Sequence, residues 1–146
     1  MNESDKQFLT AVPASDINKS LQVVLEDDES YFEWGSDINL LIYNRSDHSI
    51  YFDDNMFVRL LVSSDNNQWL DVENEIEYVG PRLASPRGTP LLDFEHIVVR
   101  PVLDKATLNN DKKDHLLRIV VIGEIMEGDT HTGDNVAAYV DVFLTP

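Results

Sequence analysis

Two runs near the C-terminal end limit what this chain can fold into more than any other feature. Residues 116–122 read Leu-Leu-Arg-Ile-Val-Val-Ile, almost continuously apolar and rich in branched side chains. That is the pattern of a strand buried near the middle of a domain. Residues 136–144 alternate instead, with Val136, Ala138, Val140, Val142 and Leu144 on one face and Ala137, Tyr139, Asp141 and Phe143 on the other, as a strand of period two requires. Between them, residues 123–135 carry Gly128-Asp129 and Gly133-Asp134, turn chemistry that sends the chain back antiparallel. The expectation is the closing hairpin of an all-β domain.

The rest of the chain supplies strands to pack on that hairpin. Residues 1–20 are polar, broken by Pro13 and without periodicity, and read as a flexible lead-in; residues 21–146 read as one domain. Strands are expected at 21–26 and at 37–44, where Ile38, Leu40 and Ile42 share a face. Further strands are expected at 49–52, 56–62, 69–72, 94–102 and, more weakly, 76–79. Tyr31, Phe32 and Trp34 come just before Gly35 and are expected to pack over one end of the core. Residues 80–90 hold three prolines and two glycines, which bars them from the middle of a sheet and makes a long surface crossing. Pro101 argues for an edge position or an early end of the strand that contains it. About eight or nine short strands with turns at this spacing predict two antiparallel sheets packed face to face, with a closed barrel as the alternative.

Composition narrows the partners. The 146 residues include 11 Lys and Arg against 27 Asp and Glu, a net charge of −16. Such a field repels phosphate backbones and anionic lipid heads, so nucleic acid is not an expected partner and membrane insertion is not expected. There is no cysteine, hence no disulfide framework, thiolate metal site or cysteine nucleophile. If Met1 follows a removed export signal, the polar stretch to Ser20 reads as a surface tether and the protein is extracytoplasmic; with a native start at Met1 it is cytoplasmic.

Residues 37–52, with a strand ending in Asn44-Arg45-Ser46 and a return through Ile50 and Phe52, resemble bacterial immunoglobulin-like sandwich domains. So does the terminal Ala138-Tyr139-Val140-Asp141-Val142. The resemblance, which runs from Leu21 onward, implies an immunoglobulin-like sandwich, used in that family as a spacer, adhesive unit or inhibitor of exported or surface-attached proteins. The Cys, Trp, Cys signature of antibody-type domains is missing, so no binding residue carries over from the family.

Candidate chemistry is sparse. The acidic turns offer Asp27, Asp28, Asp53, Asp54 and Asp65 as hard oxygen ligands for calcium, but none has the alternating spacing of an EF-hand loop. Solvated turns explain them better, and no metal site or cofactor is expected. His48, His96, His115 and His131 are scattered along the chain, with no short metal-ligand pairing. No Gly-x-Ser-x-Gly elbow or phosphate-binding glycine loop occurs, so no catalytic residue is named. Three glycosylation sequons, at Asn2, Asn18 and Asn44, are near chance in a chain rich in Asn and Ser. For a protein partner, the Pro-rich crossing offers Arg82, Leu83 and Arg87, a local departure from the acidic surface. Trp69, Tyr139 and Phe143 could form an aromatic platform. The expected function is a non-catalytic structural or protein-interaction module; a carbohydrate- or calcium-binding module comes second and an enzyme third.

Overall fold

The computed structural model describes residues 17–27, 29–53, 58–63, 69–76, 82–84, 94–102 and 114–145, with the backbone alone for 82–84, 94 and 95. Among these residues there is no helix and there are eleven strands. They are β1 (Leu21–Leu25), β2 (Tyr31–Glu33), β3 (Ile38–Asn44), β4 (Ile50–Phe52), β5 (Val58–Ser63), β6 (Trp69–Asn74), β7 (Arg82–Ala84), β8 (Phe94–Val99), β9 (Pro101–Val102), β10 (His115–Glu127) and β11 (Thr130–Thr145). Two sheets result. The smaller has the order β1-β3-β8; the larger runs β2-β11-β10-β5-β6-β9, with β4 on β10 and β7 on β4. One of the two sheets curls as a half-barrel.

The closing hairpin forms and is longer than its apolar runs. Strand β10 pairs with β11 from His115↔Leu144 to Glu127↔Thr130. Of the two Gly-Asp pairs, only Gly128-Asp129 is the turn, with Gly128 at φ 61°, the positive φ that a type II′ hairpin needs in its first central position. Gly133, at φ 79°, lies inside β11, where the register slips between Glu124 and Met126. This is a β-bulge, and side chains hold it. Thr132 Oγ1 donates to the Ile125 carbonyl at 2.6 Å, and the Gly133 N–H donates to Glu124 Oε2 at 2.9 Å.

Strand β10 is buried on one face and largely half-buried on the other, because both of its edges and both of its sides are occupied. On one edge it has β11; on the other it has β5 from Leu117 to Val121 and then β4 at Glu124 and Ile125. Leu117, Ile119 and Val121 point into the main core with Leu21, Ile38, Leu40, Ile42, Val142 and Leu144. The opposite face carries a second, smaller cluster of Leu61, Val120 and Ala137, packed against Ile17, Trp69, Ile122 and Tyr139. The change of neighbour from β5 to β4 falls at Gly123, where a Cβ would lie 2.5 Å from Ile50 Cγ2 and 3.0 Å from Phe52 Cε1. Ile50 and Phe52 are fully buried.

Four details differ from the sequence expectation. The sheets are not wholly antiparallel: β2 runs parallel to β11, with Tyr31↔Phe143 in register, and Ile17 makes an isolated parallel bridge to Ala137. The strand count is eleven because three-residue β2 and β7 and two-residue β9 pair through backbone groups that leave no periodic signal in so few residues. The Pro-rich crossing is not all connection, since Arg82–Ala84 pairs antiparallel with β4. It does so at the margin of the sheet, where proline-rich sequence is tolerated. Of the expected strand at 76–79, Ile76 is not in a strand and the remainder lies outside the described residues, as do residues 1–16.

At Arg100 the chain leaves β8 in the smaller sheet for β9 in the larger, which is why residues 94–102 form two strands. Asn74 Oδ1 accepts the Arg100 N–H at 2.9 Å, the Glu75 N–H donates to the Arg100 carbonyl at 2.9 Å, and the Gly35 N–H donates to the Pro101 carbonyl at 3.0 Å. Arg100 Nε also donates to Asp37 Oδ1 at 2.6 Å, and this bond holds the Asp37 carboxyl below its usual range. Replacing Gly123 with alanine should destabilise the domain by about 1–3 kcal/mol through overpacking. The blocking atom is a β-branch methyl with little room to turn away, so urea unfolding should show a lower midpoint at an unchanged slope.

Candidate functional site

The outward face of the larger sheet concentrates the polar and aromatic residues of the central strands. Residues directly opposite across an antiparallel ladder share a face, so Arg118↔Asp141, Val120↔Tyr139, Arg118↔Leu61 and Ser63↔Trp69 place Trp69, Arg118, Tyr139 and Asp141 together. Arg118 Nε donates to Asp141 Oδ1 at 2.8 Å and its Nη2 to Oδ2 at 3.0 Å. This is the two-pronged geometry that a planar guanidinium makes with a carboxylate. The guanidinium carbon also lies 4.1 Å from the Tyr139 ring centre and 4.7 Å from that of Trp69, within cation–π range of both. The Arg118 side chain is only 12% exposed and Asp141 30%. Its aliphatic stem and the two rings help to cover Leu61, Val120 and Ala137.

The aromatic platform expected from sequence is therefore divided. Trp69 and Tyr139 come together around Arg118, and both are partly buried. Phe143 goes elsewhere and stacks on Tyr31, with ring centres 5.2 Å apart and planes at 19°. The segment before β1 helps to close the Tyr139 side: the Asn18 N–H donates to the Ala137 carbonyl at 2.8 Å, and the Tyr139 N–H donates to Asn18 Oδ1 at 2.9 Å. Arg118 and Asp141 carry a sequence signal of their own. A single cation inside an apolar strand, with an acid on the outward face of its hairpin partner, suits a cross-strand pair.

The remaining candidates do not assemble. Arg82 and Leu83 belong to β7, described by its backbone alone, and Arg87 lies outside the described residues. Asp27 and Asp53 are exposed in separate turns; Asp28, Asp54 and Asp65 lie outside the described residues. Among the described residues no group of three or more His, Asp or Glu is placed to hold a metal ion. The histidines are dispersed. His96 Nε2 is 3.0 Å from Glu26 Oε2, His131 Nδ1 is 2.9 Å from Glu124 Oε1, and buried His115 has Nδ1 3.4 Å from the Ser63 carbonyl. At the Asn44 sequon the side chain is fully buried, with Nδ2 donating to the His48 carbonyl at 2.7 Å and Oδ1 accepting from the Ser46 N–H and hydroxyl. That arrangement is an Asx turn.

Glu124 is the most constrained acid at the far end of the hairpin. His131 and the Gly133 N–H hold its carboxyl below the usual range, the side-chain bond from His131 being the larger cause. The imidazole meets the Tyr51 ring edge-on at 5.0 Å. A pair of this kind fastens a bulge.

A scan of protein-family models finds no match to this sequence, and neither does a search of curated proteins. No helix among the described residues is long and apolar enough to cross a membrane.

Two outcomes follow from this geometry. Arg118→Lys should lower stability by about 1–2 kcal/mol in chemical denaturation, because an ammonium makes neither the two-pronged pair nor the flat stack between rings. For Glu124 the folded-state carboxyl titrates lower than in the unfolded chain, so its contribution is present above the unfolded pKa and fades as pH falls through the lowered one. Glu124→Gln should thus cost about 0.5 kcal/mol at pH 7, a surface-pair value. The difference from the unmodified protein should shrink in melts taken at successively lower pH below the ordinary glutamate range.

Proposed function

We propose that this chain is a non-catalytic immunoglobulin-like module with a structural or protein-interaction role, of the sort carried by exported or surface-attached bacterial proteins. The observation that carries the reading is the strand order. In an immunoglobulin-type sandwich one sheet contains strands A, B and E, and the other runs G, F, C, with C′ added in the variable type. On this reading the order β1-β3-β8 corresponds to A, B and E, and the order β11, β10, β5, β6 to G, F, C and C′. The chain after β1 then crosses to the larger sheet, where β2 joins the edge of the last strand in parallel.

The outward face favours a packed scaffold over a chemical site. Arg118, the less exposed of the two arginines described on this face, is neutralised by Asp141 and lies against Trp69 and Tyr139, so little of it is available to polarise a substrate. Interaction through edges and end loops fits a sandwich whose two faces are occupied in this way.

Carbodiimide coupling of the full chain in extracts from its source cells suits a protein with 27 carboxylates. It should yield a discrete conjugate with another protein. The interaction reading would be overturned by turnover of a small substrate by the purified chain that is abolished in His131→Ala or Glu124→Gln, since those residues form one of its closest acid–histidine pairs.

A further inference from the structure

The rim of the larger sheet at β2 presents three features that converge. Among the described residues β2 pairs with β11 alone, and an edge strand is a template for a further strand. Tyr31 and Phe143, which stack there, are the exposed large hydrophobic residues of the described structure, at 58% and 39%. The sequence around β2 is acidic. From residue 20 to residue 44 the sequence has six acids and no Lys or Arg. Asp37 is taken by Arg100 and Glu26 faces His96, whereas exposed Glu29 and Glu33 make no ion pair among the described residues.

We propose that the β2 edge, with the Tyr31–Phe143 stack and the carboxylates of Glu29 and Glu33, binds an extended cationic segment of another protein by strand addition. Glu29, Tyr31 and Glu33 recur at every second position, so in extended chain they project to one side. A partner strand with Lys or Arg at alternate positions matches that repeat. Its backbone would add to the sheet edge, its ammonium or guanidinium groups would lie over the exposed ring faces, and the flanking carboxylates would set its sign. A second copy of this chain is the less suitable occupant, because two bodies of charge −16 repel on approach. The proposal rests on the interaction-module reading and adds to it the place and the chemistry of the partner.

The test is a titration of the isotope-labelled full chain with the peptide acetyl-Lys-Val-Lys-Val-Lys-Val-amide, followed by amide chemical shifts at low salt. Saturable shifts should centre on residues 30–33 and 143–145, and the same peptide with Glu for Lys should produce none. Tyr31→Ala and the double variant Glu29→Gln, Glu33→Gln should each weaken binding at least tenfold. Glu127→Gln, which removes a charge at the distant hairpin turn, should leave it unchanged. Equal weakening by Glu127→Gln would show diffuse attraction and overturn the assignment, as would the lack of saturation at millimolar peptide. A peptide-independent dimer that Tyr31→Ala dissolves would overturn it in favour of a second copy. A carbodiimide conjugate mapped to a different surface would sink this edge and leave the module reading in place.

Discussion

Everything in this fold hangs on the central place of β10, which is buried on one face and largely half-buried on the other. A strand can cover two faces only if sheet partners satisfy its backbone on both edges and something packs on either side, and β10 meets all of these demands at once. β11 and β5 supply the ladders, the smaller sheet covers one side, and Trp69, Tyr139, Ile17 and Arg118 cover much of the other. Leucine, isoleucine and valine along β10 thus drive assembly from the middle outward, by removing apolar surface from water on two sides of one strand.

The arginine in the middle of that strand is reconciled with burial by its surroundings. A charge taken out of water costs several kcal/mol unless paired and hydrogen-bonded, and Asp141 answers it with two short bonds from directly across the ladder. The Tyr139 and Trp69 rings, both within cation–π range, take the place of water around the guanidinium. The result is a face that is polar in composition and packed in fact. It secures the register of β10 against β11 as well, since a slip of one residue would send Arg118 into the core.

The far part of the hairpin follows another logic. There β10 changes neighbour to β4, and the change is possible because position 123 has no side chain to hold off Ile50 and Phe52. Just beyond, the bulge at Gly133 absorbs the extra residues of β11, with Thr132 and Glu124 satisfying backbone groups that the interrupted ladder leaves over. The sheet-to-sheet corner at Arg100 uses the same means, with Asn74 accepting from its backbone N–H and Asp37 from its guanidinium.

Much of the architecture was legible in the residues because period-two alternation is local. The inward faces of β3 and β11, the central place of β10 and the early end of the strand at Pro101 follow from which side chains can share a face and which backbone groups can donate. The sequence alone also set the net charge of −16. What only the tertiary structure decided was pairing across distance. That Phe143 leaves Tyr139 and joins Tyr31, that Trp69 and Tyr139 enclose Arg118, and that β2 runs parallel to the last strand all depend on contacts between segments far apart in the chain. Periodicity carries no record of such contacts, because it states which way a side chain points and not which strand lies beside it.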